Sequence, residues 1–305
     1  MKRALINSLI ESMEVDEKIY MLVGDLGFGV MDPIIEKFPK RFFNMGICEQ
    51  NMMSVAAGMS LEDNIVYTYS IGNFPTLRAL EQIRNDILYN NLNVKIVSVG
   101  SGFAYGSLGM SHHATEDIAV MRALPNIVIL SPADPMETFK AVQYANKING
   151  PVYIRIGRGG EENIPHIENE IEKGILKVRE GNGKIALLST STITKEVLKS
   201  AVILEEKGVD IAVYSVAIIK PLNEKILIEL SEKFEYIITI EEHNIVGGLG
   251  SAVAEILTDN ECNCIQKRIG IRDKFIDMVG EPNYLRECCG LTGEKIAEYV
   301  QEVLR

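Results

Sequence analysis

In this chain of 305 residues, Glu49 is the acid whose setting most favours proton chemistry, at the centre of RFFNMGICEQNMMSVAAGMSL, residues 41–61. Gly46 permits a sharp turn after Phe42 and Phe43, and Met52, Met53, Val55, Ala56, Ala57 and Met59 then make an almost wholly apolar helix. Glu49 falls on its first turn. Burial favours a protonated carboxyl whereas a helix N-terminus favours an ionised one, so an acid caught between the two is placed to hold or release a proton. The competing reading is an acid that only complements the helix dipole. A second set is His112-His113, two of only four histidines. An imidazole there can donate to a developing alkoxide or move protons, or it can simply cap or pack. A third is the pair Arg155 and Arg158, delivered by VYIRI into Gly157–Gly160. A guanidinium presents a planar, permanently charged fork to an anion, unless Glu161 or Glu162 takes it.

Other reactive side chains offer less. Five cysteines without secretory context read as free thiols, and Cys262-x-Cys264 with Cys288 and Cys289 lacks the two-residue spacing of thiolate metal sites. Cys48 reads as a small buried side chain filling a packed site. The run Gly100-Ser-Gly-Phe-Ala-Tyr-Gly106 is one residue too long for a dinucleotide fingerprint. Gly247-Gly-Leu-Gly250, ahead of a helix, suits an anion or close helix packing. Glu242 and His243 stand at the end of a strand.

These residues need a frame. Hydrophobic residues at 47% and charged ones at 24% are ordinary for a globular protein, and 305 residues suit two domains. A formal charge of −11 argues against a nucleic-acid partner. No apolar run nears the ~20 residues of a membrane span, and residues 1–11 lack the features of a signal peptide, so a cytoplasmic protein without a membrane partner is expected. Helical spacing covers 4–14, 76–88, 115–124 and 135–146, while strands are expected at 19–23, 65–69, 94–99, 127–130 and 152–156. Residues 161–182 are polar and read as a linker. Beyond them, strands at 184–190, 210–216 and 236–241 alternate with helices at 193–207, 223–233 and 251–257. The expectation is two parallel-sheet α/β domains, 1–160 and 183–305.

GICEQNM, VAAGM, YTYS, GSLGMSHH, LPNIVILSPAD and PVYIRIGR together resemble the pyrimidine-binding half of transketolase and deoxyxylulose-phosphate synthase. The likeness extends, more weakly, through the C-terminal domain of those enzymes. In that family the acid matching Glu49 hydrogen-bonds N1′ of the aminopyrimidine of thiamine diphosphate, where its proton favours the tautomer that activates the thiazolium carbon. The resemblance implies Asp25 and Leu26 beside the cofactor, with Phe74, or in reserve Tyr69, stacked on the pyrimidine. His112 would reach the substrate near the reacting carbons, and Arg158 would grip a sugar phosphate.

Departures bear on the substrate. Leu108 stands where ordinary transketolases carry an Asp that contacts a sugar hydroxyl, and a phosphate-holding histidine is replaced at or near Ser101. Losing an acceptor and a donor alters discrimination more than carbanion chemistry, so donors or acceptors other than the common pentose and hexose phosphates are expected. Gly24-Asp25-Leu26 is not the Gly-Asp-Gly that opens a diphosphate and magnesium site, so no metal ligand is assigned here. The resemblance therefore implies an N-terminal partner subunit that binds diphosphate and Mg2+, in a two-plus-two heterotetramer with self-association. Alternatives are the beta subunit of a 2-oxo-acid dehydrogenase, a deoxyxylulose-phosphate-synthase-like enzyme, a nicotinamide oxidoreductase using the Gly100 loop, and a non-catalytic assembly subunit.

Overall fold

Short runs rich in Ile, Val and Tyr set the frame. In the computed structural model, which describes residues 1–304, they form β1 (Ile19–Val23), β2 (Phe42–Asn44), β3 (Ile65–Ile71), β4 (Val94–Val99), β5 (Val128–Leu130) and β6 (Val152–Ile156). Next come β7 (Ile175–Arg179), β8 (Ile185–Ser189), β9 (Ile211–Val216), β10 (Ile218–Lys220), β11 (Tyr236–Asn244) and β12 (Ile265–Ile271). The first sheet has seven strands in the order β10-β5-β6-β4-β3-β1-β2, and the second five in the order β12-β11-β8-β9-β7. Every pairing is parallel except those of β10 with β5 and β7 with β9. The molecule is thus built from two mostly parallel-sheet α/β layers, as the alternation of strands and helices requires.

Two strands depart from the expected division. The stretch read as linker contains β7, an antiparallel edge strand of the second sheet, and β10 crosses back to close the first sheet. The three residues of β10 are too few to show a period, whereas β7 overlaps residues 174–178, the one periodic run in that polar stretch. The helix expected over 76–88 is also broken. Pro75 leads into turns, and only Leu80–Gln82 is α-helical before a π-helical stretch, Ile83–Leu88, which turns Ile83, Ile87 and Leu88 inward.

Because β1 to β4 run parallel, the loops that follow them emerge along one edge of the sheet, where α/β folds receive ligands. The helix Glu49–Ser60 packs Met52, Met53 and Ala56 into the core on one sheet face. On the other face, Leu5, Leu9 and Met13 of the helix Lys2–Val15 join Met21, Tyr67 and Tyr69.

The two sheets are joined by polar groups. Arg155, only 1% exposed, donates from Nε to Asp117 Oδ2 at 2.8 Å and from Nη2 to the Ala114 carbonyl at 2.8 Å and the Glu242 carbonyl at 3.3 Å. Tyr153 donates its hydroxyl to the same Asp117 oxygen at 2.6 Å. The Glu242 carboxylate accepts from the Phe103 amide at 2.6 Å and pairs with Arg286. Arg155→Met leaves a buried carboxylate with Tyr153 as its remaining side-chain donor. It is expected to cost about 3–5 kcal/mol in urea denaturation of the full chain.

Candidate active site

Glu49 is the first residue of its helix and only 2% exposed. Ser70 donates from Oγ to Glu49 Oε1 at 3.2 Å, and Arg78 donates from Nη1 to Oε2 at 2.8 Å. Neither partner was foreseen from sequence. Ser70 had a usable signal, since residues 66, 68 and 70 of β3 share the face that meets the Glu49 helix. Arg78 had none, because the turns after Pro75 place it. Its guanidinium lies 4.2 Å from the Phe74 ring centroid, and that ring meets His112 edge-on at 5.1 Å. A buried acid, a guanidinium, an aromatic plane and an imidazole therefore form one continuous group.

A Cβ on Gly24 would stand 3.5 Å from Glu49 Oε1 and 3.2 Å from Ser70 Oγ. The bare backbone of Gly24 thus lets Ser70 and Glu49 pack close against the end of β1. Asp25 is exposed and held at φ 51°, its amide donating to Asn44 Oδ1 at 3.2 Å while Asn44 Nδ2 donates to Asp25 Oδ1 at 2.9 Å. The Gly46 amide also donates to Asn44 Oδ1, at 2.9 Å. Asn44 so ties the loop after β1 to the turn before Glu49. Leu26 is half-buried against the apolar core.

Not every expected residue converges. Tyr69 is fully buried on the face of β3 opposite Ser70, where burial pushes its phenol far above the usual range; Phe74 is the aromatic near Glu49. Ser101 is 1% exposed, with its hydroxyl hydrogen-bonded to Ser191 Oγ at 3.0 Å across the two halves, so it is not offered to a ligand. Cys48 is exposed rather than buried, because the N-cap position holds it outside the core. All five cysteines are free thiols, and among the described residues no three Asp, Glu, His or Cys side chains converge on a metal position.

Burial, and secondarily the Arg78 charge, lower the pKa of His112, which favours neutral imidazole. Its Nδ1 lies 3.0 Å from Ser111 Oγ. His113 is instead a packing residue, 3% exposed and edge-on to Phe103 at 5.3 Å. Tyr105 sits 6.5 Å from His112, and Arg158 lies 5.2 Å from the Tyr105 centroid. Neither acid expected to take Arg158 does so: Glu161 accepts from the Met1 nitrogen and Glu162 pairs with Lys195. Arg158 lines a cleft of about 760 Å³ between the two halves, together with Lys195, Lys199 and Arg286.

The glycine loops have internal duties. Side chains added at Gly100, Gly102 and Gly106 would collide with Tyr105, Glu242 and Leu285 respectively, so these glycines admit protein neighbours rather than a dinucleotide. The Leu249 and Gly250 amides donate to the Glu241 carboxylate at 2.7 and 2.9 Å, which occupies the anion position expected in that loop. Burial pushes Glu241 up to about 7 and His243 down to about 4. His243 Nε2 accepts from the Ala119 amide at 3.3 Å while Nδ1 donates to the Asn244 carbonyl at 2.6 Å, so Glu242 and His243 are structural.

Known proteins resemble this chain in both of its halves. Residues 1–160 match the family model of the transketolase pyrimidine-binding domain, and residues 174–296 that of the transketolase C-terminal domain. A protein of Methanocaldococcus jannaschii named as a transketolase C-terminal section is 37% identical over 308 residues, covering all of this chain and 96% of its own. One of the subunits of the apulose-4-phosphate transketolase of Actinobacillus succinogenes is 38% identical over 269 residues, covering 87% of this chain and 86% of its own. Among solved structures, a split-gene transketolase described as an inactive β4 tetramer superposes with a TM-score of 0.87 at 37% identity, covering 98% of this chain and 96% of its own. No helix among the described residues is long and apolar enough to cross a membrane.

Because the Arg78 charge contributes to the lowered pKa of His112, Arg78→Met is expected to raise the midpoint of the His112 ring-proton titration followed by NMR. An unchanged midpoint would show that burial alone sets it.

Proposed function

Since the chain belongs to the transketolase family, with the two-domain layout of its C-terminal sections, we propose that it receives the aminopyrimidine half of thiamine diphosphate in a two-subunit ketol transferase. One observation carries the reading: a buried acid on a helix N-terminus is held by Ser70 and Arg78, and Arg78 links it to the aromatic plane of Phe74. When bound, thiamine diphosphate supplies the carbanion-forming centre and electron sink for transfer of a two-carbon unit. In this chain Glu49 would hold the proton at ring N1′, with Ser70 and Arg78 fixing the direction of its carboxyl. Phe74 would offer the stacking surface and Leu26 the apolar wall, with Asp25 at the rim. His112, neutral at ordinary pH, would donate to oxygen on the substrate or shuttle its proton.

Magnesium and the diphosphate would be held by an N-terminal partner subunit, in a two-plus-two heterotetramer that works in the cytoplasm. The related split-gene chain, described as an inactive β4 tetramer, supports both self-association and dependence on a partner. Arg158 faces the cleft without a carboxylate partner among the described residues, which favours an anionic sugar donor. Leu108 is 54% exposed where an acid would meet a hydroxyl. This favours donors or acceptors other than the common pentose and hexose phosphates, and the relative acting on apulose 4-phosphate is consistent with that.

Calorimetric titration of thiamine diphosphate with Mg2+ is expected to show tight binding only when this chain is mixed with its N-terminal partner. No binding in a complex shown to form by size would overturn the cofactor assignment. In that complex, Glu49→Ala is expected to lower turnover at least a hundredfold in a ketol-transfer assay, whereas undiminished turnover would indicate a non-catalytic subunit. Steady-state kinetics are expected to favour donors other than xylulose 5-phosphate, and the substrate reading fails if xylulose 5-phosphate with ribose 5-phosphate is the best pair by far.

A further inference from the structure

One residue touches both ends of the group around Glu49. The Asn73 carbonyl accepts from the Arg78 amide at 3.2 Å, within the turns that carry Arg78 to the acid. Its side chain reaches the other end. Nδ2 donates to the His113 carbonyl at 2.6 Å, and among the described residues this is the one hydrogen bond between residues 72–78 and the histidine loop, residues 106–113. Asn73 Oδ1 is buried and accepts no hydrogen bond among the described residues, so the Nδ2 bond alone orients the amide. A reversed amide would set two acceptors against each other.

The histidine loop has little regular structure to hold it in place. It consists of two single 3-10 turns, Gly106–Leu108 and Met110–His112, separated by Gly109 at φ 77°. At its start the Gly280 amide donates to the Gly106 carbonyl at 3.3 Å, and just past its end Ala114 exchanges two hydrogen bonds with Gly102. Between these ties, Asn73 is the anchor next to His112. The approach is close, since a Cβ on Gly72 would stand 3.3 Å from the His112 carbonyl. It leaves the imidazole edge-on to Phe74 at 5.1 Å, while the Arg78 guanidinium lies 4.2 Å from the centroid of the same ring. Besides Arg78, the ionisable groups near the imidazole are Tyr105 and His113.

We infer that Asn73 is a positioning residue, whose side-chain amide clamps the histidine loop to the Phe74 turn and so holds the His112 imidazole at the ring that also meets Arg78. The clamp stands on the hydrogen bond itself. That it serves the transfer step rests on the transferase reading above, because displacing a group that must meet the substrate by about 1 Å can cost about a hundredfold in rate.

The test uses NMR of the full chain with labelled His and Phe. The wild type is expected to show a cross-relaxation peak between the His112 and Phe74 ring protons. Asn73→Leu keeps the side chain's size without its donor, and Asn73→Asp keeps an acceptor without the donor. Both are expected to lose the peak while circular dichroism shows the fold retained, and Asn73→Leu is expected to raise the His112 titration midpoint as the ring leaves its half-buried place. Should Asn73→Leu fail to fold, the nearly isosteric Asn73→Asp decides. Absence of the peak in the wild type, or its full intensity in a folded variant, overturns the clamp. In the subunit complex either substitution is expected to lower kcat about tenfold to hundredfold with the KM of the ketose donor within about twofold. Loss of the peak with unchanged kcat overturns the role in transfer. Ketol transfer by a wild-type complex whose variants keep the peak removes the clamp alone, and loss of the peak where the wild-type complex transfers nothing removes the transferase reading alone.

Discussion

Arg155 holds a full positive charge in the interior, and its solvation by Asp117 and two backbone carbonyls positions everything around it. An unpaired guanidinium at that depth would be prohibitively costly, so the segments that supply its partners must close on it together. Ala114 and Asp117 belong to the segment after His112-His113, and Glu242 to the second sheet. Satisfying one buried charge therefore sets the depth of the histidine loop and docks one half of the molecule on the other. Glu242 extends the constraint to Phe103 and Arg286. The cleft wall and the Gly100 loop inherit their positions from it.

The site is assembled in a different way. Parallel strands bring successive loops to one edge, and each loop contributes a single element: the Gly24 backbone, the Gly46 turn with Glu49, and the Phe74–Arg78 turns. Small polar contacts between loops fix their spacing. Asn44 joins two of them, and Arg78 joins the third to the acid. Glu49 is buried yet each of its carboxyl oxygens has a donor, Ser70 or Arg78, which is how a carboxyl is retained in an apolar helix packing.

Several signals in the chain were ambiguous until the packing was known. Glycine spacing after β4 allowed a nucleotide loop, and only the close approach of Tyr105, Glu242 and Leu285 gives those glycines another purpose. The family resemblance offered Phe74, and in reserve Tyr69, for a stacking role. A strand turns alternate side chains to opposite faces, so Tyr69 lies across the sheet from Glu49 whereas Phe74, beyond the strand, escapes that alternation. Ser101 sits in a loop rich in candidate contacts, but its hydroxyl is already taken by Ser191 from ninety residues away.

What the sequence determined by itself was whatever depends on local pattern. Apolar periodicity marked eight of the twelve strands, missing β2, β7, β10 and β12, and the buried helix of Glu49, and motif order carried the family resemblance with its acid, histidine and arginine. Tertiary structure alone decided the partnerships: Arg78 and Ser70 on Glu49, β10 returning to the first sheet, and Glu241 filling the first amides of the helix Leu249–Asp259. Each of these joins residues far apart in the chain through one hydrogen bond, one charge or three residues of pairing. Such contacts leave no periodic trace, because their partners are chosen by where the folded backbone ends up rather than by neighbours along it.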